Sequence, residues 1–404
     1  TLSLEEETAP GPGIAAPVTR PSLPVVDLEP GDRSLQLAET TATCCGAKAT
    51  GAGRLLSLAR ESSGLFTAAD GLALPFGVLT RSLAQVPEQE EKYQRLRGEL
   101  TESGTEAVPD ALKALRRILL ELPVPDAILQ QIQDYFGPNT LLAVRSSANG
   151  EDLTTLSSAG LYDSCVGVPA RDCADAIGRV WASLWTDRAY ASRVQNGIPH
   201  SDIQMAVLMQ ELVAPDYAFI MHTRDPISPE RDQVWVELAL GLGETLASAA
   251  QPGTPYRLLC DRSSGEIRLS ACASFSLALA AQPGGGIRKE RVDYSRAELS
   301  TDPAAAAILG RRLVRIAGFL ESKLGGPQDV EGVVANGRIH IVQTRSRASG
   351  GTGTARQAEI QIPAVGYQVF DFVDQHAFLL TTESNDILWH DRLPFLSFFY
   401  VDSF

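Results

Sequence analysis

The chain has 404 residues, 44% of them hydrophobic, enough for a sizeable core and two or more lobes. Its formal net charge of -14 argues against wholesale binding to nucleic acid or an anionic membrane, although a local basic cluster could still hold an anion. Cys44, Cys45, Cys165, Cys173, Cys260 and Cys272 form no CxxC pair and no Cys/His metal spacing; they read as reduced thiols of an intracellular or organelle-stroma compartment, and no run approaches the ~20 apolar residues of a membrane span.

Residues 1–34 are rich in Pro, Gly and acid and are expected to be a linker. The chain opens without methionine, so a fragment is expected and the lack of a targeting segment says nothing. At Gly46-Ala47-Lys48 the chain turns small and then helical, with Leu55, Leu56 and Leu58 beginning an apolar face. Small residues at a helix start let backbone N–H groups approach an anion, and Lys48 adds a positive charge. The stretch is not a Walker A motif, and a helix packed tightly on a neighbour explains it equally well. Residues 72–79 read as a strand or loop leading into a helix. Helices follow over 110–122 and 125–136, with Leu112, Leu115 and Leu119, then Ile128, Leu129 and Ile132, at helical spacing.

Residues 141–152 read as an apolar strand ending in Arg145, Ser146 and Ser147. Arg145 is expected at a strand end, either meeting a ligand or paired with Glu151 or Asp152. The small-residue loop at 158–164 could close over phosphates. Residues 172–194 predict one amphipathic helix, with Trp181 and Trp185 in the core. Residues 204–213 predict a central strand, with 219–226 as its partner and a further strand at 234–239. His222 could serve as a base, against the commoner structural role of a strand histidine. Residues 303–324 predict a helix with Leu309, Leu313, Ile316 and Leu320 on one face.

The helix leads into two β-branched runs joined at Asn336-Gly337, a hairpin signal. A two-residue turn would pair Glu331 with Val342 and put Gln343 on the opposite face. A three-residue loop, Ala335-Asn336-Gly337, pairs Glu331 with Ile341 and is the expected form; Asp329, Glu331, Gln343 and Arg345 then share one face. Two carboxylates, an amide and a guanidinium suit a metal-bound polyphosphate, while a solvated polar face is the competing explanation. The expected division is 35–200 for a first lobe, 201–348 for a second, and 349–404 for a linker and a tail without an assigned site.

Taken together, Gly46-Ala47-Lys48, residues 143–148 and 159–164, Met209-Gln210-Glu211, residues 241–245, Gln328-Asp329-Val330-Glu331 and Val342-Gln343-Thr344-Arg345 resemble the ATP-binding domain shared by pyruvate phosphate dikinase, phosphoenolpyruvate synthase and the glucan, water dikinases. Residues 159–164, 180–185, 241–248 and 328–332 look most like the starch-phosphorylating branch, with a segment order closest to phosphoglucan, water dikinase. The resemblance covers about residues 40–348. It implies an α+β, ATP-grasp fold with the nucleotide between two lobes, and ATP and Mg²⁺ as ligands. It implies that Lys48 and Arg145 hold the triphosphate and that Gly160 and Ser164 lie in the loop over it. Gln210 and the backbone near Leu212 would meet the adenine. Glu331 and Gln343, with Asp329 as a further candidate, would sit at the metal, and Arg345 would clamp the transferred phosphate. Arg145 and Arg345 are the residues expected to act in the transfer itself.

In such dikinases the β-phosphate passes to a histidine on a swivelling domain and then to an already phosphorylated α-glucan, the γ-phosphate passes to water, and AMP and phosphate leave. The implied compartment is the plastid. His200, His222, His340, His376 and His390 do not lie in a Thr/Gly-rich phosphohistidine segment, and no starch-binding module is visible. The chain is therefore expected to bind ATP without phosphorylating glucan by itself. Alternative readings are a relative acting on pyruvate or another acceptor, a glucan, water dikinase, and a nucleotide-binding module without turnover.

Overall fold

Short apolar runs bounded by Gly, Pro and polar turns build strands, and two sheets result. The computed structural model describes residues 23–29, 31–102, 108–151, 160–228, 230–247 and 251–347, and two short strands farther on. Residues up to Arg347 form one compact unit. Its strands are β1 (Leu35–Gln36), β2 (Thr67–Ala68), β3 (Gly71–Leu74), β4 (Leu141–Ala148), β5 (Ser164–Pro169), β6 (Met205–Glu211) and β7 (Tyr217–His222). They continue with β8 (Gln233–Leu240), β9 (Tyr256–Asp261), β10 (Ile267–Ala271), β11 (Leu277–Ala281), β12 (Ile287–Arg291), β13 (Gln328–Ala335) and β14 (Arg338–Ser346). Helices are α1 (Ala42–Glu61), α2 (Phe76–Ala84), α3 (Pro87–Glu102), α4 (Val108–Leu120), α5 (Asp126–Phe136), α6 (Cys173–Ala182), α7 (Asp187–Gln195), α8 (Glu244–Ala247), α9 (Glu298–Thr301) and α10 (Pro303–Leu324).

The first sheet has the order β1-β3-β6-β4-β5, and the second β10-β9-β8-β7-β13-β14-β2. This is a mixed helix-and-sheet architecture of the α+β kind. Two elements cross the expected division at residue 200. Strand β6 pairs with β3 and β4 and so belongs to the first sheet, while the early strand β2 joins the second by pairing with β14. Strand β7 is accordingly not the partner of β6. It lies between β8 and β13, and the chain changes sheets between Glu211 and Tyr217. The remaining unit, 348–404, contains the described strands β15 (Gln368–Val369) and β16 (Leu380–Thr381), paired antiparallel. Residues 1–22 and 30 of the expected linker lie outside the described residues, as does most of the tail.

Each sheet buries one face under helices. On the first, Leu142, Val144, Val207 and Met209 pack with Leu115, Ile128, Ile177 and Trp181 from α4, α5 and α6. On the second, Val236, Leu258, Val330 and Ile341 pack with Leu313, Ile316 and Leu320 of α10. Helix α1 serves both. Cys44, Cys45, Ala49 and Ala52 pack on Ala206 and Leu208 of the first sheet, while Leu55 and Leu58 enter the core of the second. One helix thus spans the seam, and its start faces the gap between the sheets. All six cysteines are free, and no helix among the described residues is long and apolar enough to cross a membrane.

The single helix expected over 172–194 is broken. A 3₁₀ turn, Ser183–Trp185, follows α6, and the Thr186 hydroxyl accepts from the Ala189 N–H at 3.3 Å to cap α7. The break places Trp185 against Tyr93 and lays the buried Arg193 guanidinium over its ring at 4.9 Å. Arg193 Nε donates to His200 Nδ1 at 3.1 Å, so the histidine must be neutral there. Burial first, and the Arg193 charge second, push His200 down to about 4. The unfolded chain binds that proton near the ordinary value of 6.5, so this contribution is complete above pH 6.5 and is lost as pH falls through 4. The loss amounts to about 3 kcal/mol. Urea unfolding at pH 7, 5.5 and 4 should show the parent losing about that much more stability than a His200→Gln variant. Parallel losses in the two proteins would refute the assignment.

Candidate functional site

The site begins where Gly46 interrupts α1, at φ 74° and ψ 170°. That conformation is essentially restricted to glycine. A Cβ there would lie 2.6 Å from the Ser147 carbonyl oxygen on β4. The Ser147 hydroxyl fastens the two elements, donating to Cys45 O at 2.6 Å and accepting from the Ala49 N–H at 3.1 Å. The helix therefore restarts at Ala47 directly against the sheet, with first-turn N–H groups and Lys48 at the seam. Lys48 Nζ donates to Glu151 Oε1 at 2.6 Å and to Ser146 Oγ at 3.2 Å. Glu151, only 1% exposed, also accepts from Ser146 Oγ at 2.9 Å and from the Ala148 N–H at 3.1 Å. The sequence offered Glu151 as a partner for Arg145. The structure gives it to Lys48, a pairing between residues 103 apart in the chain that no local spacing signals.

Arg145 stands inside β4 rather than at its end, opposite Ser164 of β5 and Leu208 of β6. Ser164 therefore shares its face. Arg145 forms no ion pair among the described residues. Gly160, exposed and at φ 69°, begins the described chain after the loop; Asp152, Ser158 and Ala159 lie outside the described residues.

The hairpin corrects one expectation and keeps its consequence. Asn336 and Gly337 have φ of 49° and 71°, and Ala335 pairs with Arg338. The turn is the two-residue, type I′ form rather than the three-residue loop, because Asn-Gly accepts two successive left-handed residues. A bulge then shifts the register between Glu331 and Gly332, leaving Val342 as the extra residue. Beyond it Glu331 pairs with Gln343, and Asp329 with Arg345, so all four side chains share one face. With its amide oxygen turned toward Arg345, Gln343 accepts from Nη2 at 2.9 Å and Nε at 2.7 Å. Asp329 Oδ1 lies 2.6 Å from His222 Nδ1 on the adjoining strand β7.

These pieces meet. Lys48, Gly51, Arg145, Leu208, Gln343 and Arg345 line one open cleft between the two sheets. Cations from a helix start, from the first sheet and from the second sheet converge there, and of these only Lys48 is offset by a buried carboxylate. The arrangement can receive an extended polyanion, with guanidinium forks from both sides. Gln210 and Leu212 lie outside this lining. The Gln210 amide is buried and donates one of its two N–H groups to Ala69 O at 3.0 Å, and the Leu212 N–H donates to Leu141 O at 2.8 Å. Among the described residues no group of three or more His, Cys, Asp and Glu side chains is placed to hold a metal by itself. Glu331 offers a carboxylate to Mg²⁺, which takes few protein oxygens and completes its shell with phosphate and water, while the Gln343 oxygen would have to leave the Arg345 fork to join it.

Residues 44–363 match the family model described as pyruvate phosphate dikinase, AMP/ATP-binding domain. The chain is 31% identical over 286 residues to a rifampicin phosphotransferase of Bacillus subtilis (strain 168), which covers 68% of this chain and 32% of that protein. It is 33% identical over 290 residues to a rifampicin phosphotransferase of Streptomyces sp, again 68% of this chain and 32% of the relative. With the chloroplastic alpha-glucan water dikinase of Solanum tuberosum it shares 29% identity over 346 residues, 78% of this chain and 22% of that protein. The chain therefore spans a third or less of the length of these relatives.

Proposed function

We propose, for a chain that belongs to the pyruvate phosphate dikinase AMP/ATP-binding family, that the cleft between its two sheets binds Mg·ATP and releases the β-phosphate to a histidine on a separate domain. The convergence of Lys48, Arg145, Gln343 and Arg345 on one cleft carries this reading. The triphosphate lies along the restarted end of α1, with Lys48 and Arg145 on one side and Arg345 on the other. Glu331 and Gln343 would hold Mg²⁺, which would supply charge neutralisation for the phosphates. The adenine sits toward the passage from β6 to β7, near Gln210 and Leu212, and the loop ending in Gly160 and Ser164 closes over the phosphates. Because phosphoryl transfer passes through a loose transition state, these residues act by positioning and by offsetting charge rather than by covalent chemistry.

For the acceptor, the motifs at 159–164, 180–185, 241–248 and 328–332 support a phosphoglucan, water dikinase of the plastid, in which phosphorylated α-glucan receives the β-phosphate, water the γ-phosphate, and AMP and phosphate leave. A second reading, favoured by the 31–33% identity to rifampicin phosphotransferases, gives the phosphate to a small hydroxylated acceptor such as rifampicin. Titration calorimetry of this chain should show Mg·ATP binding that chelation of Mg²⁺ weakens at least tenfold; absence of binding would remove the cleft assignment. Phosphate transfer by the whole protein from β-labelled ATP to prephosphorylated amylopectin, against transfer to rifampicin, decides between the acceptors.

A further inference from the structure

We infer that Glu151 and Ser146 are positioning residues for Lys48, fixing its ammonium at the cleft wall with one hydrogen left for a phosphate oxygen, an inference that rests on the Mg·ATP reading above. Glu151 acts through the lysine and does not touch the nucleotide.

The carboxylate is held by the fold, whether or not the lysine is present. Glu151 lies in the turn that follows β4. Its N–H donates to Ala148 O at 3.4 Å, and its carboxylate closes the same turn by accepting from the Ala148 N–H at 3.1 Å. Asn149, buried in that turn, ties it to the segment entering β6. Its Nδ2 donates to Asp202 O at 2.8 Å, and its Oδ1 accepts from the Gln204 N–H at 2.9 Å. Its own N–H donates to Gln204 O at 3.3 Å. Ser146 is buried inside β4, opposite Val207 of β6. Both acceptors thus stand on backbone that is fastened to the next strand. Lys48 is the adaptable member, because its ammonium ends a flexible four-carbon stem whose ordering carries a large entropy cost. Glu151 and Ser146 order it before any ligand arrives.

An ammonium carries three N–H donors and no acceptor. Lys48 Nζ meets Glu151 Oε1 at 2.6 Å and Ser146 Oγ at 3.2 Å, and the serine hydroxyl donates in turn to the same Oε1 at 2.9 Å. Two acceptors leave one ammonium hydrogen without a partner among the described residues. The lysine side chain is 13% exposed and lines the cleft, and so does Arg145, the residue before Ser146 on β4. The strand that presents one phosphate-binding cation therefore also orients the other. Glu151 has a second effect of opposite sign. Its charge lowers the positive potential of the cleft, so a carboxylate that merely neutralised Lys48 would oppose a polyanion. Removing that charge tightens nucleotide binding if Glu151 is only a counter-ion, and weakens it if Glu151 sets the position of the lysine.

The test uses the full chain, with Mg·ATP affinity read by titration calorimetry and folding checked by urea unfolding. Glu151→Gln keeps the shape and removes the charge; it should weaken binding by about 3–10-fold although the cleft becomes more positive. Ser146→Ala removes one acceptor without changing charge and should weaken binding by about the same factor. Added to the Lys48→Met/Glu151→Gln background, Ser146→Ala should leave affinity within about twofold, because no ammonium remains to be oriented. Unchanged or tighter binding by Glu151→Gln overturns the inference and leaves the carboxylate a counter-ion only. Unchanged binding by Ser146→Ala in the parent overturns it too. So does a loss from Ser146→Ala that is equal in both backgrounds, since the effect then runs through the fold and not through Lys48. A parent that does not bind Mg·ATP defeats the cleft reading itself, and the positioning role with it.

Discussion

Arg345→Ala should weaken Mg·ATP binding by about 10–100-fold while leaving unfolding unchanged. Arg345 has no ion pair among the described residues and bonds only the Gln343 amide, so little folded-state energy rests on it. Its fork at the cleft would make charge-assisted bonds of about 1.5–3 kcal/mol to phosphate, the stated range in affinity. Lys48→Ala differs in kind. It also removes a phosphate partner, but it takes the balancing cation from Glu151, which is 1% exposed and held at 2.6 Å by the lysine. Removing one member of a buried ion pair costs about 3–5 kcal/mol, so this variant should lose stability as well as affinity. Lys48→Met combined with Glu151→Gln should recover most of the stability and none of the affinity. Calorimetry with Mg·ATP and urea unfolding on the three variants separate the effects. Unchanged affinity in both Arg345→Ala and the double variant would remove both residues from the site.

What the sequence revealed was periodicity and local chemistry. The regular apolar face of residues 303–324 became α10 with the same ends, and Asn336-Gly337 marked the hairpin. What it concealed was backbone irregularity and pairing at a distance. The bulge at Val342 brings Glu331 opposite Gln343, yet no residue type announces it, and the expected loop length reached the shared face by the wrong route. The break at Ser183–Trp185 was hidden because the apolar spacing runs straight through it, and only the Thr186 cap hints at a restart. Strand β6 looked adjacent to β7 because the two are neighbours in the chain. Its own partners come from residues 71–74 and 142–148, and local pattern does not encode such pairings. For the site, charge type and order in the chain pointed to Lys48, Arg145 and Arg345. The partner that holds Lys48, Glu151, needed the fold.

Gly46→Ala should cost at least about 3 kcal/mol and lower Mg·ATP affinity with it, because this glycine joins the fold to the site. Its φ of 74° with ψ of 170° lies in a region that L residues pay about 1–3 kcal/mol to enter. The added methyl would also stand 2.6 Å from the Ser147 carbonyl oxygen and 2.7 Å from its hydroxyl. Those are backbone and pinned atoms, so β4 and the start of α1 must separate and the bonds from Ser147 to Cys45 and Ala49 must lengthen. Lys48, two residues on, would move away from Glu151 and from the cleft. Gly98→Ala is the control: on α3 its Cβ would meet nothing within 4 Å, and it should stabilise by about 0.5–1 kcal/mol without touching affinity. Urea unfolding and calorimetry on both variants test the link. If Gly46→Ala is as stable as the parent, the close approach of helix and strand does not set the position of Lys48. If it is destabilised yet binds Mg·ATP normally, the restarted helix end takes no part in holding the nucleotide.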